Sequence, residues 1–543
     1  MQNQNTQNVK KLSLLIAVLL YQLFSSAQNN FQIALETESI TNLGGLQSYA
    51  FAQDNGKWLF IGGRQDGLHR RQPWASFDAA GNNNQLLVVD PFTKQFWTAP
   101  LSSLSTALQE QLSSTNMQFF QTGNYLYVIG GYGFSASAND HITYPKITAV
   151  KVAETIDAVI NNTSISSYFR QQTNNDFAVT GGHLSKIYDR YYLVGGQKFT
   201  GRYNPMGGPT YVQVYTNAIR SFQLDDDGTT LTISNVNVET DAANLHRRDY
   251  NVTAQIMPNG QEGLTAFSGV FQPNADLPFL NCVNIDSSGY TVNNDFWQYY
   301  NHYHCANVPL YSEDANEMHS VFFGGIAQYY DSLGVLVQDN NVPFVKTVAR
   351  VTRTANDSMK EYKMPVEMPY YLGASAEFIP LENLPMYANG VIKLDSLTAD
   401  TTLIGYIFGG IKSSAKNIFF INNGTESEAY DDIIKVYVLK GAAIGIDELN
   451  IQSKSKTKMQ IYPIPNNGIL QIDFDLAQKS DVLFRVNDVT GKLIHEEKLE
   501  STSTDVGLNH HKIDLTNHDF GLVLFVTLET KKDSVTQKII LAD

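Results

Sequence analysis

The sequence predicts an all-β fold, and three observations carry that reading. Short apolar strands ending in a glycine pair recur along most of the chain. Turn residues such as Asp54-Asn55-Gly56 and Thr122-Gly123-Asn124 stand between neighbouring apolar runs, which is the hairpin pattern. The composition of 38 Gly, 29 Tyr and 29 Phe in 543 residues favours many strands with tight turns, because aromatic rings suit a pleated, half-buried surface and Gly supplies positive φ.

Taken in order, the chain begins with a polar segment carrying Lys10 and Lys11, an apolar run from Leu12 to Leu23, and small residues up to Ala27. This predicts a secretory signal peptide over 1–27, cleaved between Ala27 and Gln28. No later stretch is long and apolar enough for a transmembrane helix, so the mature chain is expected to lack one. Phe31 to Glu38 then reads as a strand with no hairpin partner of its own.

The glycine-ended strands follow at 58–63, 125–131, 191–196, 321–325 and 406–410. A sixth copy at 264–269 carries Ser268 in place of the first Gly. Several copies are preceded by a second strand and followed, after a variable loop, by a third, seen best in Leu86-Leu87-Val88-Val89-Asp90-Pro91 before Phe96-Trp97. Pairing Phe31 to Glu38 with the last strand, Asp431 to Lys440, would hide both open edges, so the repeat predicts six blades closed by the N-terminal strand.

On these residues the sequence resembles the kelch family, whose repeat is a four-stranded blade with a double glycine after its second strand. The resemblance implies a six-bladed kelch-like β-propeller over 28–441. The repeats are spaced more widely than the kelch period of about 50 residues, so each unit must carry insertions. Only the first blade has the expected Trp, at Trp97.

From Gly441 the composition turns small, polar and basic, with Ser453-Lys454-Ser455-Lys456-Thr457-Lys458, which predicts a linker over 442–458. Residues 459–543 give short alternating strands that suit a small Ig-like β-sandwich. This tail resembles the type A C-terminal sorting domain of the type IX secretion system of Bacteroidota. The matching residues include Tyr462, Pro463, Pro465, Asn466 and Gly468, then Gly491 and Lys492. Ile464 stands where that family usually has Asn, and Gly521-Leu522 lacks the usual Tyr. The resemblance implies handling by the type IX machinery, removal of the tail, and release or attachment at the outer cell surface.

A net charge of −15 with no basic stripe argues against nucleic acid as a partner. Two cysteines in an exported chain leave a disulfide between Cys282 and Cys305 open. No metal site is expected: His302 and His304 enter one strand of the fifth hairpin, whereas His319 begins the next at its opposite end. Asp225-Asp226-Asp227-Gly228 lacks the alternating spacing of a calcium loop and reads as a turn. No nucleophile elbow, phosphate loop or paired-carboxylate motif is readable, and no cofactor is indicated.

Because strand direction alternates within a blade, loops after the second strand share a face with loops entering the next blade. That places Arg64, His69, Arg71 and Trp74, then Arg202 and Tyr203, then Arg247 and Arg248, and Tyr329 on one face. Arginine forks beside aromatic rings suit carboxylated or hydroxyl-rich ligands. The alternative is that they are loop solvation and inter-blade ion pairs. Three functions stay open: a surface or secreted protein binding a glycan or protein, a sugar-processing enzyme like the acidic-sugar epimerases on kelch propellers, and a structural surface component.

Overall fold

The computed structural model describes residues 31–208, 210–332, 335–440, 458–462, 468–476, 478–488, 493–516, 523–530 and 534–540. The chain divides into two compact units, Met1–Glu448 and Leu449–Asp543. The linker expected over 442–458 lies outside the described residues, except for Lys458, which begins a strand.

The first unit contains six principal antiparallel sheets, and none closes into a barrel. Sheet I is formed by Ala50–Asp54, Lys57–Ile61, Gln85–Asp90 and Gln95–Pro100; sheet II by Gln118–Thr122, Tyr125–Ile129, Pro145–Lys151 and Phe169–Ala178. Sheet III comprises His183–Ile187, Arg190–Val194, Ala218–Asp226 and Leu231–Thr240; sheet IV comprises Asn251–Ile256, Glu262–Phe267, Cys282–Asp286 and Gly289–Asn293. Sheet V takes Asn307–Ser312, Glu317–Phe323, Thr347–Arg353 and Met359–Glu367, with Ile392–Lys393 added in parallel to its first strand. In sheet VI, Tyr371–Pro380, Thr401–Ser413 and Ile433–Lys440 are joined by Phe31–Glu38, which pairs antiparallel with Ile433–Lys440 from Phe31↔Lys440 to Glu38↔Ile433.

Tyr125–Ile129 explains why the repeat reads as a continuous apolar run instead of an alternating one. Leu126 and Val128 pack with Leu59 and Ile61 of sheet I, while Tyr127 and Ile129 pack with Leu184 and Leu193 of sheet III. The strand is buried on both faces, so neither face can be polar. The same sharing continues from III to IV through Val194 and Val252, from IV to V through Phe267 and Phe322 and from V to VI through Phe323 and Ile407. It returns from VI to I through Phe408 and Phe60.

A ring of backbone hydrogen bonds runs through the stretches that enter the first strands of sheets I to V and through Ser375 within Tyr371–Pro380. Asn116 N–H donates to the Ser48 carbonyl (3.0 Å), Gly181 to Asn116 (3.3 Å), Asp249 to Gly181 (2.8 Å) and His304 to Asp249 (2.9 Å). Ser375 donates to His304 (2.8 Å) and Ser48 to Ser375 (3.1 Å), which completes the circuit. Ser48, Asn116, Asp249 and Ser375 take φ between 47° and 61°, a left-handed conformation that short polar residues tolerate best.

The glycine pairs are packing devices. Gly130 sits at φ 68°, and a Cβ there would lie 1.9 Å from the carbonyl oxygen of Val179, in the stretch that joins sheets II and III; Gly131 N–H donates to that oxygen at 3.0 Å. Only a residue without a side chain allows this approach.

The long spacings hold added elements. Tyr132–Ser135, Asp140–Thr143, Gln197–Gly201 and Tyr211–Tyr215 form a separate four-stranded sheet from the loops of sheets II and III, and Val152–Ile160 is a helix.

The second unit has two antiparallel sheets, one of Lys458–Tyr462, Ile469–Leu476 and Gly507–Asp514, the other of Leu493–Leu499, Val482–Asp488, Val523–Glu529 and Ser534–Ile540. Their alternating apolar residues, among them Leu470, Ile472, Phe484 and Val526, share one core.

Candidate ligand-binding face

Among the arginines expected on the loop face, two are consumed by the scaffold. Arg64 is 2% exposed; it grips Asp66 through Nε and Nη2 (2.7 and 2.6 Å) and also donates to Asn82 Oδ1 (2.8 Å) and the Asp78 carbonyl (3.0 Å). Arg247 is 1% exposed, donates to the Asn244 and Asn281 carbonyls and to Asn281 Oδ1 (2.6, 3.0 and 2.6 Å), and lies 4.0 Å over the Phe279 ring. Burial pushes its guanidinium down to about 10. Such an arginine braces the entry to sheet IV and has no fork to offer a ligand.

Arg248, the next residue, is different. Its Nη1 pairs with Asp249 Oδ2 at 2.7 Å, its Nε donates to the Tyr215 hydroxyl at 3.0 Å, and it lies 5.2 Å over Phe271. Burial opposes its charge, but the Asp249 carboxylate and the Tyr215, Tyr203 and Tyr303 phenols raise its pKa overall. Tyr303, entering sheet V, is held protonated chiefly by burial, and it feels Arg248, Asp249, Tyr203 and Tyr215 together. His69 packs edge-on to Tyr203 with ring centroids 5.1 Å apart. Burial, then the charge of Arg248, lowers His69 to about 4, so it is neutral at pH 7.

Loops of several sheets thus bring His69, Tyr203 and Arg248 together. Arg202 Nε donates to the Ser76 carbonyl at 2.8 Å, which ties two loops. Arg71 is exposed, with Nε 3.1 Å from Met206 Sδ, and Trp74 is 74% exposed; no contact joins either to Arg248 among the described residues. Tyr329 stacks edge-on with Tyr299 at 5.0 Å and belongs to a separate group near His302. Tyr215, Tyr303 and Asp249 were missed by sequence reasoning. The signal available for Asp249 was the recurrent small or polar residue two positions before the first strands of sheets I to IV: Ser48, Asn116, Gly181 and Asp249.

Behind this face lies a cavity of about 70 Å³ lined by Tyr49, Gln118, His183, Asp249, His304 and Glu377, among others. His304 Nε2 is 3.0 Å from Glu377 Oε1. Burial opposes protonation of His304, but Glu377 raises its pKa overall, whereas burial and neighbouring His304 drive His183 down to about 3.

Cys282 and Cys305 are free and buried; the disulfide left open by the sequence does not form. Cys282 Sγ faces Met359 Sδ at 4.0 Å, and Cys305 Sγ accepts from Asn251 Nδ2 at 3.7 Å, so the thiols point to different neighbours. Among the described residues, no group of three or more His, Cys, Asp or Glu could hold a metal, and no helix is long and apolar enough to cross a membrane.

The expected cleavage residues Ala27 and Gln28 lie outside the described residues, as do Pro463, Pro465, Asn466, Gly491 and Lys492 of the sorting motif. Of the remainder, the Tyr462 hydroxyl donates to Asp473 at 3.1 Å, and the Gly468 carbonyl accepts from Leu515 N–H at 2.8 Å.

Comparison with known proteins matches residues 460–542 to the Secretion system C-terminal sorting domain. No curated protein matches the chain. Among solved structures, one titled "Structure of YjhT" is similar at 11% identity and a TM-score of 0.41, covering 70% of this chain and 95% of that one.

Proposed function

We propose that this protein, exported through type IX secretion to the cell surface or extracellular space, binds an extracellular glycan on the loop face around Arg248. Export itself rests on the sorting domain at 460–542. The finer reading takes 28–441 as a six-bladed kelch-like propeller, 442–458 as its linker and 1–27 as a cleaved signal peptide. The hydrogen-bond circuit from Ser48 to Ser375 and the successive cores shared between the six sheets support the propeller.

The observation that carries the binding reading is the convergence of Arg248, Tyr215, Tyr203 and Tyr303 beside Asp249. A guanidinium braced by one carboxylate and surrounded by phenols can hold a carboxylate or hydroxyl, while the rings stack on the apolar face of a sugar. Exposed Trp74 offers a further aromatic platform.

Two experiments test this reading. A glycan array probed with the full chain should show selective binding, with the bound sugar recovered chemically unchanged. No binding would overturn the proposal, and an altered sugar would replace it with a sugar-processing enzyme. Deleting 460–542 should leave the protein inside the cell envelope; undiminished export would contradict the delivery route.

A further inference from the structure

The four-stranded sheet built from the loops of sheets II and III ends in an open edge. Its order places Tyr211–Tyr215 outermost, paired on one side with Gln197–Gly201 and, among the described residues, with no strand on the other. Side chains alternate along the strand. Tyr211, Gln213 and Tyr215 face the protein: Tyr211 packs on Tyr203 with ring centroids 5.2 Å apart, Gln213 Nε2 donates to Gln197 Oε1, and Tyr215 stacks on His246 at 3.6 Å. Val212 and Val214 face away and are 63% and 57% exposed.

An edge of this kind is a template for another strand, and proteins normally blunt it with charge, proline or a bulge. Several outer strands of the principal sheets follow that rule. Met359–Glu367 carries Lys360, Lys363 and Pro365, and Phe31–Glu38 carries Glu36 and Glu38. Leu231–Thr240 exposes Val236 and Val238, but it is interrupted by a register shift and by left-handed Asn235 (φ 51°). Tyr211–Tyr215 has no charge, no proline and no bulge.

The order of its residues identifies the partner. Tyr-Val-Gln-Val-Tyr reads the same in both directions. Turned about a two-fold axis through Gln213, it sets Val212 against Val214 of a second copy, Tyr211 against Tyr215, and Gln213 against itself. Like residues then face each other at every position, and β-branched and aromatic cross-strand pairs are favourable ones. A two-fold contact uses the same patch on both copies, whereas an unrelated peptide would place no such demand on the sequence.

We propose that Tyr211–Tyr215 pairs with the same strand of a second copy, antiparallel and centred on Gln213, joining two four-stranded sheets into one continuous sheet. None of its residues is proline, so each has a backbone N–H as well as a C=O to contribute. The valines of the two copies then cover one another, while Tyr211 and Tyr215 keep their contacts within each chain. Tyr215 accepts from Arg248, so two Arg248 faces would belong to one assembly. The pairing itself does not depend on what that face binds.

Sedimentation equilibrium of the full chain tests the proposal. A short strand pair is a small interface, so a reversible dimer with a dissociation constant of about 10 μM is expected. Val212→Lys combined with Val214→Lys, at exposed positions, should weaken it by at least about tenfold and leave the melting temperature of dilute protein unchanged. Under mild oxidation Gln213→Cys should give a covalent dimer, because opposite Cα atoms lie about 5 Å apart. Val212→Cys should not, since diagonal neighbours stand about 7–8 Å apart. Cys282 and Cys305 are buried and do not compete. A monomer at about 100 μM or a dimer indifferent to the two lysines would overturn the proposal. So would cross-linking that is absent from Gln213→Cys or present in Val212→Cys.

Discussion

The amide of Ser48 donates to the carbonyl of Ser375 at 3.1 Å, joining the stretch that enters sheet I to strand Tyr371–Pro380 of sheet VI. That bond completes a circuit in which each of the six sheets is tied to its neighbour. Six sheets so linked behave as one cooperative body, because loosening any one of them exposes the cores it shares with two others.

Gly130→Ala tests how tightly the backbone at the end of Tyr125–Ile129 approaches the stretch that joins sheets II and III. Gly123 is also left-handed, at φ 55°, but a Cβ there meets nothing within 4 Å, whereas at Gly130 it would lie 1.9 Å from the Val179 oxygen. Gly123→Ala should therefore cost about 1 kcal/mol from backbone strain alone. Gly130→Ala should cost at least about 2 kcal/mol more, because backbone must move. Urea unfolding of the two variants checks the difference; equal losses would mean that the close approach is not energetically important.

The free thiols make a chemical prediction. Burial pushes Cys282 up to about 11 and Cys305 up to about 12, so neither forms appreciable thiolate at pH 7. A thiol reagent should label neither in the native protein and both after unfolding without reductant. Failure to label the unfolded, unreduced chain would show a disulfide.

Glu361 gives a pH dependence of definite sign. It is buried, accepts from the Tyr299 N–H at 2.5 Å and from the Tyr300 N–H at 3.2 Å, and burial raises it to about 8 from an ordinary 4.5 despite those bonds. A raised folded-state pKa means that its stabilising effect is complete below pH 4.5 and is lost as pH rises toward 8. Glu361→Gln keeps an acceptor and removes the titration. The variant should match the wild type near pH 4.5 and exceed its stability by about 2 kcal/mol or more at pH 8. Melting curves across that range check this, and parallel curves would contradict it.

Much of the scaffold was legible because its physics is local. Apolar runs such as Tyr125 to Ile129 and glycine pairs such as Gly130-Gly131 mark strands buried on both faces and their sharp exits. The added sheet containing Gln197–Gly201 and Tyr211–Tyr215 was not legible, since its strands come from the loops of two sheets and pair only in space. The candidate face was half legible. Arg247 and Arg248 are identical neighbours in the sequence, yet one is locked by Asn244 and Asn281 and the other turns to Tyr215. Which arginine faces the loops depends on the chain's path into sheet IV, and composition carries no record of it. Tyr215 and Tyr303 were hidden among 29 tyrosines for the same reason.

That pair of arginines provides the most direct test of the binding claim. Glycan binding by the full chain should be measured for the wild type, Arg248→Met and Arg247→Met, alongside their melting temperatures. Arg248→Met should abolish binding with little loss of stability, whereas Arg247→Met should lower the melting temperature and leave the folded fraction able to bind. Binding that survives Arg248→Met unchanged would contradict it.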